Sequence, residues 1–144
     1  MTNSETLDFN QTKAPRTGRS IVAVVVGFLV VVVFSLGTDV VLHATGIYPP
    51  WFQPMADPLW VLAFAYRIPY GIAGGYATAA LAPRRPVRHA VILGFIGLAL
   101  SILGAAMHWN AGPEYGPKWY NLSLVVTALP LSWLGGLLGS KRAG

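Results

Sequence analysis

Between Ser20 and His43 the chain is almost wholly apolar, and the stretch from Ile21 to Phe34 carries neither charge nor proline. Valine, isoleucine and phenylalanine dominate it, a composition that would favour a β-strand in water. A run of about 20 apolar residues is instead the length that crosses a bilayer as a helix, because in hydrocarbon each backbone N–H and C=O must be satisfied within the segment. Three further runs follow: Leu59–Leu81, Val87–His108 and Trp119–Gly139. The linkers between them are short, which makes consecutive helices antiparallel neighbours. The expected fold is all-α: a polytopic membrane protein with four transmembrane helices in an antiparallel bundle.

Composition agrees. Of 144 residues, 54% are hydrophobic and 10% charged, and the mean hydropathy is +0.55, whereas soluble domains carry about 25% charged residues. Cysteine is absent, which removes disulfides, thiolate metal sites and cysteine nucleophiles. Residues 1–19 are polar, with almost nothing to bury, and read as a disordered cytoplasmic tail ahead of a single membrane domain over residues 20–144. The first run resembles the hydrophobic part of a signal peptide behind Lys13, Arg16 and Arg19. Apolar character resumes at Val40-Val41-Leu42, however, and no small-x-small site directly follows Phe34, so the run reads as an uncleaved span.

The net charge of +5 would suggest nucleic acid in a soluble protein. Here the basic residues flank apolar runs, so topology and anionic headgroups account for them and no nucleic-acid partner is expected. Eight Lys and Arg lie in the N-terminal tail, the Arg84–Arg88 linker and the C-terminus, against Lys118 alone in the two opposite loops. By the positive-inside rule both termini are cytoplasmic. The stretch from Thr45 to Pro58 holds four prolines among Tyr48, Trp51 and Phe52, and reads as an interfacial loop, with a re-entrant lid as the alternative.

Arg67 breaks the pattern. It stands inside the second run, where an arginine costs about 2.5–3.5 kcal/mol at mid-membrane and therefore needs a partner or water. Measured from the outer helix ends at about 1.5 Å per residue, Arg67 lies about 12 Å deep and Asp39 of the first run about 8 Å. No other carboxylate lies within a span, so Asp39 is the expected partner. The pair either only sets helix register or also lines a ligand or ion site.

Small residues recur every three or four positions along each run. Gly71, Gly75, Gly94, Gly97, Gly104, Gly135 and Gly139 are the candidate helix-packing positions, at which backbones approach closely. The same seams become polar toward the outside, at Asp39, His43, Arg67, Tyr70, His108 and Asn121, which are the candidate binding residues. His43 and His108 invite a metal or haem reading, but no carboxylate or histidine cluster completes a ligand sphere. No cofactor or metal is expected. No nucleotide-binding loop, zinc-protease helix or nucleophile elbow is present, and no enzymatic activity is expected.

Several short stretches carry a resemblance: Thr38-Asp39-Val40-Val41-Leu42-His43-Ala44-Thr45-Gly46, Ala65-Tyr66-Arg67, Gly71-Ile72-Ala73-Gly74-Gly75-Tyr76, Val87-Arg88-His89-Ala90, Trp109-Asn110, Gly116-Pro117-Lys118-Trp119-Tyr120 and Trp133-Leu134-Gly135-Gly136. Together the chain resembles a group of small, uncharacterised four-helix bacterial membrane proteins. The resemblance implies a bacterial inner membrane and brings no activity with it.

Three functions compete, and the expected one is a structural or accessory membrane subunit, with a binding or transport protein as the alternative and a membrane enzyme last. A structural or accessory membrane subunit would use its glycine seams against a second copy or a partner membrane protein, with the bilayer as its other partner. A small-molecule or ion binding or transport protein would hold an outward-facing polar pocket around Asp39 and Arg67. A membrane enzyme would have to use Asp39 and His43. A pocket requires a void between the outer helix halves, whereas an accessory role requires dense packing there and an exposed small-residue face. For topology, single cysteines at Ala56 and Gly112 should react with an impermeant thiol reagent added outside intact cells, and one at Ala82 should not; the reverse pattern would overturn the assigned orientation.

Overall fold

Four α-helices and one short 3-10 turn make up the computed structural model, which describes residues 16–141 in full and the backbone of 3–143. The helices are α1 (Asn3–Ala44), α2 (Asp57–Leu81), α3 (Pro86–His108) and α4 (Lys118–Ala143), with the 3-10 turn at Pro113–Tyr115 between the last two. Of the expected disordered tail, residues 1–2 lie outside the described residues, and the backbone of residues 3–19 is the start of α1, with side chains described from residue 16.

The helix boundaries follow local chemistry more closely than hydropathy. α2 starts at Asp57, two residues before the apolar run, because Pro58 suits a first turn whose N–H groups have no partner and Asp57 faces the positive end of the dipole. It stops where Ala82 turns extended ahead of Pro83, with the Ala82 N–H closing on the Thr78 carbonyl at 3.0 Å. α3 begins at Pro86 behind a left-handed Arg85 (φ 48°). α1 ends in a turn at Gly46 (φ 80°), and Tyr48 N–H then returns to the Leu42 carbonyl at 3.0 Å.

Small residues set the packing. α2 packs most extensively on α4, α4 on α3 and α1 on α2, while α1 and α4 are not among the packed pairs. At the α2–α4 crossing the backbones nearly touch. A Cβ on Gly75 would overlap the Ser132 carbonyl, one on Gly135 the Ile72 carbonyl, and one on Gly139 would stand 2.7 Å from the Tyr76 carbonyl. A Cβ on Gly71 would stand 3.2 Å from Leu131, and one on Gly94 2.8 Å from Leu129. At Gly97 a Cβ would make ordinary contact with Ala128 at 3.8 Å, and at Gly104 it would meet open space among the described residues, so the two ends of the α3 seam differ. α1 meets α2 at Gly27 and Gly74, two small residues of the seams, where a Cβ on either would stand within 3 Å of the other's carbonyl.

The burial pattern inverts that of a soluble domain. Ala23, Ala63, Ala79, Ala90 and Thr78 are buried, while Val33, Val126 and Met107 are more than 60% exposed. Glycine and alanine inside with large aliphatic side chains outside is how helices associate in lipid. Three helical stretches, Arg16–Ala44, Pro86–His108 and Pro113–Lys141, are long and apolar enough to cross a membrane. α2 is long enough at 25 residues but is not among them, since Arg67 and its tyrosines, prolines and glycines lower its hydropathy. These features point to a membrane protein.

Replacing Gly75 by leucine forces side-chain atoms into the Ser132 backbone, which cannot yield as a side chain does. Gly75→Leu should cost more than the 1–3 kcal/mol (about) typical of overpacking. Val61→Leu, at a position 55% exposed, should be near neutral. Folded fraction in mild detergent after heating checks this, and equal behaviour of the two variants would contradict the close crossing.

Candidate functional site

The end of the bundle that carries the α1–α2 and α3–α4 connections, hereafter the loop end, holds an ion pair. Asp39 is on the last turns of α1 and Arg67 is two to three turns into α2. Arg67 Nη2 donates to Asp39 Oδ2 at 2.7 Å, with the two side chains only 21% and 13% exposed. The Tyr66 hydroxyl donates to the other carboxylate oxygen, Oδ1. Arg67 Nη1 donates to the Ala63 carbonyl at 2.9 Å, one helical turn back. Its guanidinium carbon lies 5.1 Å from the Tyr66 ring centre and 5.9 Å from that of Tyr120, close enough for cation–π attraction. Both charges are thereby hydrogen-bonded as well as paired, the condition under which a buried ion pair is tolerated.

Tyr48 extends this network from the connection between α1 and α2. Its hydroxyl lies 3.2 Å from that of Tyr66 and donates to the Leu59 carbonyl at 3.4 Å. Burial raises the Tyr48 phenol above its ordinary pKa, so it stays a neutral donor. Around Tyr48, Ala63 and Tyr120 a small apolar cluster gathers Leu42, Leu59, Trp60 and Phe64. Phe52, in the same connection, holds a positive φ of 65°, a strained position for a side-chain-bearing residue costing about 1–3 kcal/mol.

Two cavities flank the pair. The first, about 190 Å³, opens at the loop end between Asp39, His43, Arg67, Trp51, Trp60 and Glu114, with Tyr115 and Tyr120 completing the wall. The second, about 260 Å³, lies deeper between all four helices and is mostly apolar, with Ser35, Ser101 and Thr127 among its few polar residues. Arg67 lines both. One half of the ion pair thus borders both a polar, aromatic-walled pocket and a mostly apolar cavity, while Asp39 borders the pocket alone. The Ser35 hydroxyl, buried beside the deeper chamber, has no hydrogen-bond partner.

Of the six candidate binding residues, Asp39, His43 and Arg67 meet at the loop-end pocket. His43 accepts the stacked ring of Trp51, with centroids 3.6 Å apart, and its Nδ1 sits 2.8 Å from the Asp39 carbonyl. Tyr70 points elsewhere, its hydroxyl 2.7 Å from Thr38 Oγ1 and its ring against Phe34. His108 stacks on Tyr115 at 4.5 Å and so braces the wall without lining it. Asn121 is buried, its Nδ2 3.5 Å from the Pro117 carbonyl, and lines neither cavity. Tyr66, Tyr48, Trp60, Glu114 and Tyr120 belong to the site although the seam spacing does not select them. Tyr66 is adjacent to Arg67, where a four-residue periodicity does not look, and the other aromatics read as an interfacial belt.

Among the described residues no group of three His, Asp or Glu side chains could hold a metal ion. No protein-family model matches the chain, and neither curated proteins nor solved structures give a significant match.

Breaking the pair from one side leaves a buried charge without its partner, which costs about 3–5 kcal/mol in comparable settings. Asp39→Asn and Arg67→Gln should each destabilise strongly, and the double variant should lose much less than their sum. Thermal unfolding of the four proteins closes the thermodynamic cycle. Additive losses would contradict the coupling that the 2.7 Å contact implies.

Proposed function

We propose that this is a four-span inner-membrane protein with both termini cytoplasmic, and that it binds a small molecule in an outward-facing pocket floored by Asp39 and Arg67. The observation that carries this reading is the void of about 190 Å³ between the loop-end helix halves, where an accessory subunit would be densely packed. The small-residue seams add to it. Gly75, Gly135 and Gly139 are consumed by the internal α2–α4 crossing and leave no free face for a partner there. A concave site with aromatic walls and a few convergent polar groups is the usual form of a small-ligand pocket. α2 crosses the membrane in this reading because its arginine is neutralised within the bundle, which removes the main cost of its lower hydropathy. A second reading, a structural or accessory subunit, draws on Gly37 and Gly104, where an added Cβ would meet nothing within 4 Å among the described residues and another helix could be received.

A thermal-stability screen of the purified protein against small ammonium, carboxylate and neutral solutes tests the proposal. Ligand at 100 times its Kd should stabilise by about 2.7 kcal/mol, and Tyr115→Ala in the pocket wall should weaken the effect. In parallel, a cysteine at the half-buried, pocket-lining Met55 should react with a small polar thiol reagent, while one at the fully packed Ala79 should not. No stabilisation by any solute class together with an inert Met55→Cys would overturn the pocket and return the accessory reading.

A further inference from the structure

We infer that the ligand of the loop-end pocket is an organic cation, an ammonium group with alkyl substituents, recognised by Glu114 and the rings around it. The inference rests on the pocket reading above and adds the chemical class.

Charge decides the sign. Of the ionised groups lining the pocket, Asp39 is fully engaged, one oxygen by Arg67 and the other by Tyr66. Arg67 is likewise occupied by Asp39, the Ala63 carbonyl and the rings of Tyr66 and Tyr120. Glu114 remains. It is half-buried in the 3-10 turn between α3 and α4, and among the described residues it makes neither an ion pair nor a side-chain hydrogen bond. Lys118, the closest basic residue in sequence, is drawn instead over the Trp109 ring at 4.9 Å and does not line the pocket. A carboxylate partly withdrawn from water without a partner is an unfavourable arrangement that a bound cation would relieve.

The walls select an organic cation over a metal ion. Trp51, Trp60, Tyr115 and Tyr120 surround the pocket, and their ring faces carry the negative end of the aromatic quadrupole, which attracts alkylated ammonium groups. A metal ion would require several oxygen or nitrogen ligands, and among the described residues no group of three His, Asp or Glu side chains gathers here to supply them. Two of the walls are held in place: Trp51 by its stack on His43, with an interplanar angle of 7°, and Tyr115 by its stack on His108, at 8°. Rings fixed in advance lose little freedom on binding, which favours affinity in a small site. The anionic alternative is disfavoured because Glu114 would repel it and the arginine is already engaged. The cation could be a free organic ammonium or the ammonium of a lipid headgroup, since Trp51 and Phe52 at the rim are exposed.

Calorimetric titration of the full-length protein in lipid nanodiscs tests this, with choline and its neutral carbon isostere, in which a tert-butyl group replaces the trimethylammonium, as probes. Choline should bind at least about tenfold more tightly than the isostere, and Glu114→Gln should remove about tenfold of its affinity. Trp51→Leu, at an exposed rim position, should weaken choline and leave the isostere nearly unchanged. Melting without ligand confirms that both variants fold. Equal affinity for choline and isostere, or binding confined to carboxylates, would overturn the cation and leave the pocket standing. Binding of no solute class would overturn both. Choline binding in phosphatidylglycerol discs that disappears in phosphatidylcholine discs assigns the site to a lipid headgroup; equal binding in both assigns it to a soluble ammonium.

Discussion

The ion pair between Asp39 and Arg67 is the interaction on which the loop end depends. An arginine in an apolar helix demands compensation, and every available group is turned to it: a carboxylate from α1, the Ala63 carbonyl of its own helix and the rings of Tyr66 and Tyr120. The carboxylate in turn is completed by Tyr66, and Tyr66 by Tyr48 from the connecting segment. One charge thereby positions two helices and a loop. α1 is not packed on α4, so its place is set by this pair at one end and by the Gly27–Gly74 crossing farther along.

The two halves of the bundle are built on different principles. Where Gly75, Gly135 and Gly139 lie, α2 and α4 meet backbone to backbone and leave no space. Toward the loop end the seams give way to Phe64, Trp60, Tyr120 and the ion pair. The smaller cavity lies there, whereas the larger one reaches deeper, to Gly71, Gly97 and Ser132, and Arg67 lines both.

The site is also electrically uneven. Its central pair is neutral and satisfied, yet its rim keeps Glu114 without a partner, held on a short turn whose flanking glycines, Gly112 and Gly116, adopt positive φ. The aromatic residues that would pass for a simple interfacial belt are divided by the fold into two sets. Trp109 and Trp119 line neither cavity, whereas Trp51, Trp60 and Tyr120 line the pocket.

By itself the sequence determined the helices, their order and the residues that could not be left alone. Apolar run length demands helix because lipid offers the backbone no other partner, and Arg67 demands an acid because its apolar surroundings offer it little water, with Asp39 the one carboxylate inside an apolar run. Only tertiary structure decided which polar residues share a site. Tyr70, His108 and Asn121 occur at the expected depth but face Thr38, Tyr115 and the Pro117 carbonyl. Periodicity along a helix sets height and an approximate face, but not the direction in which a neighbouring helix lies. Tyr66, one residue from Arg67, joins the site because the α1–α2 crossing brings Asp39 between them. Glu114 and Tyr48 join from connections whose path no hydrophobic period encodes, since it is set by turns, prolines and the positions of the helix ends.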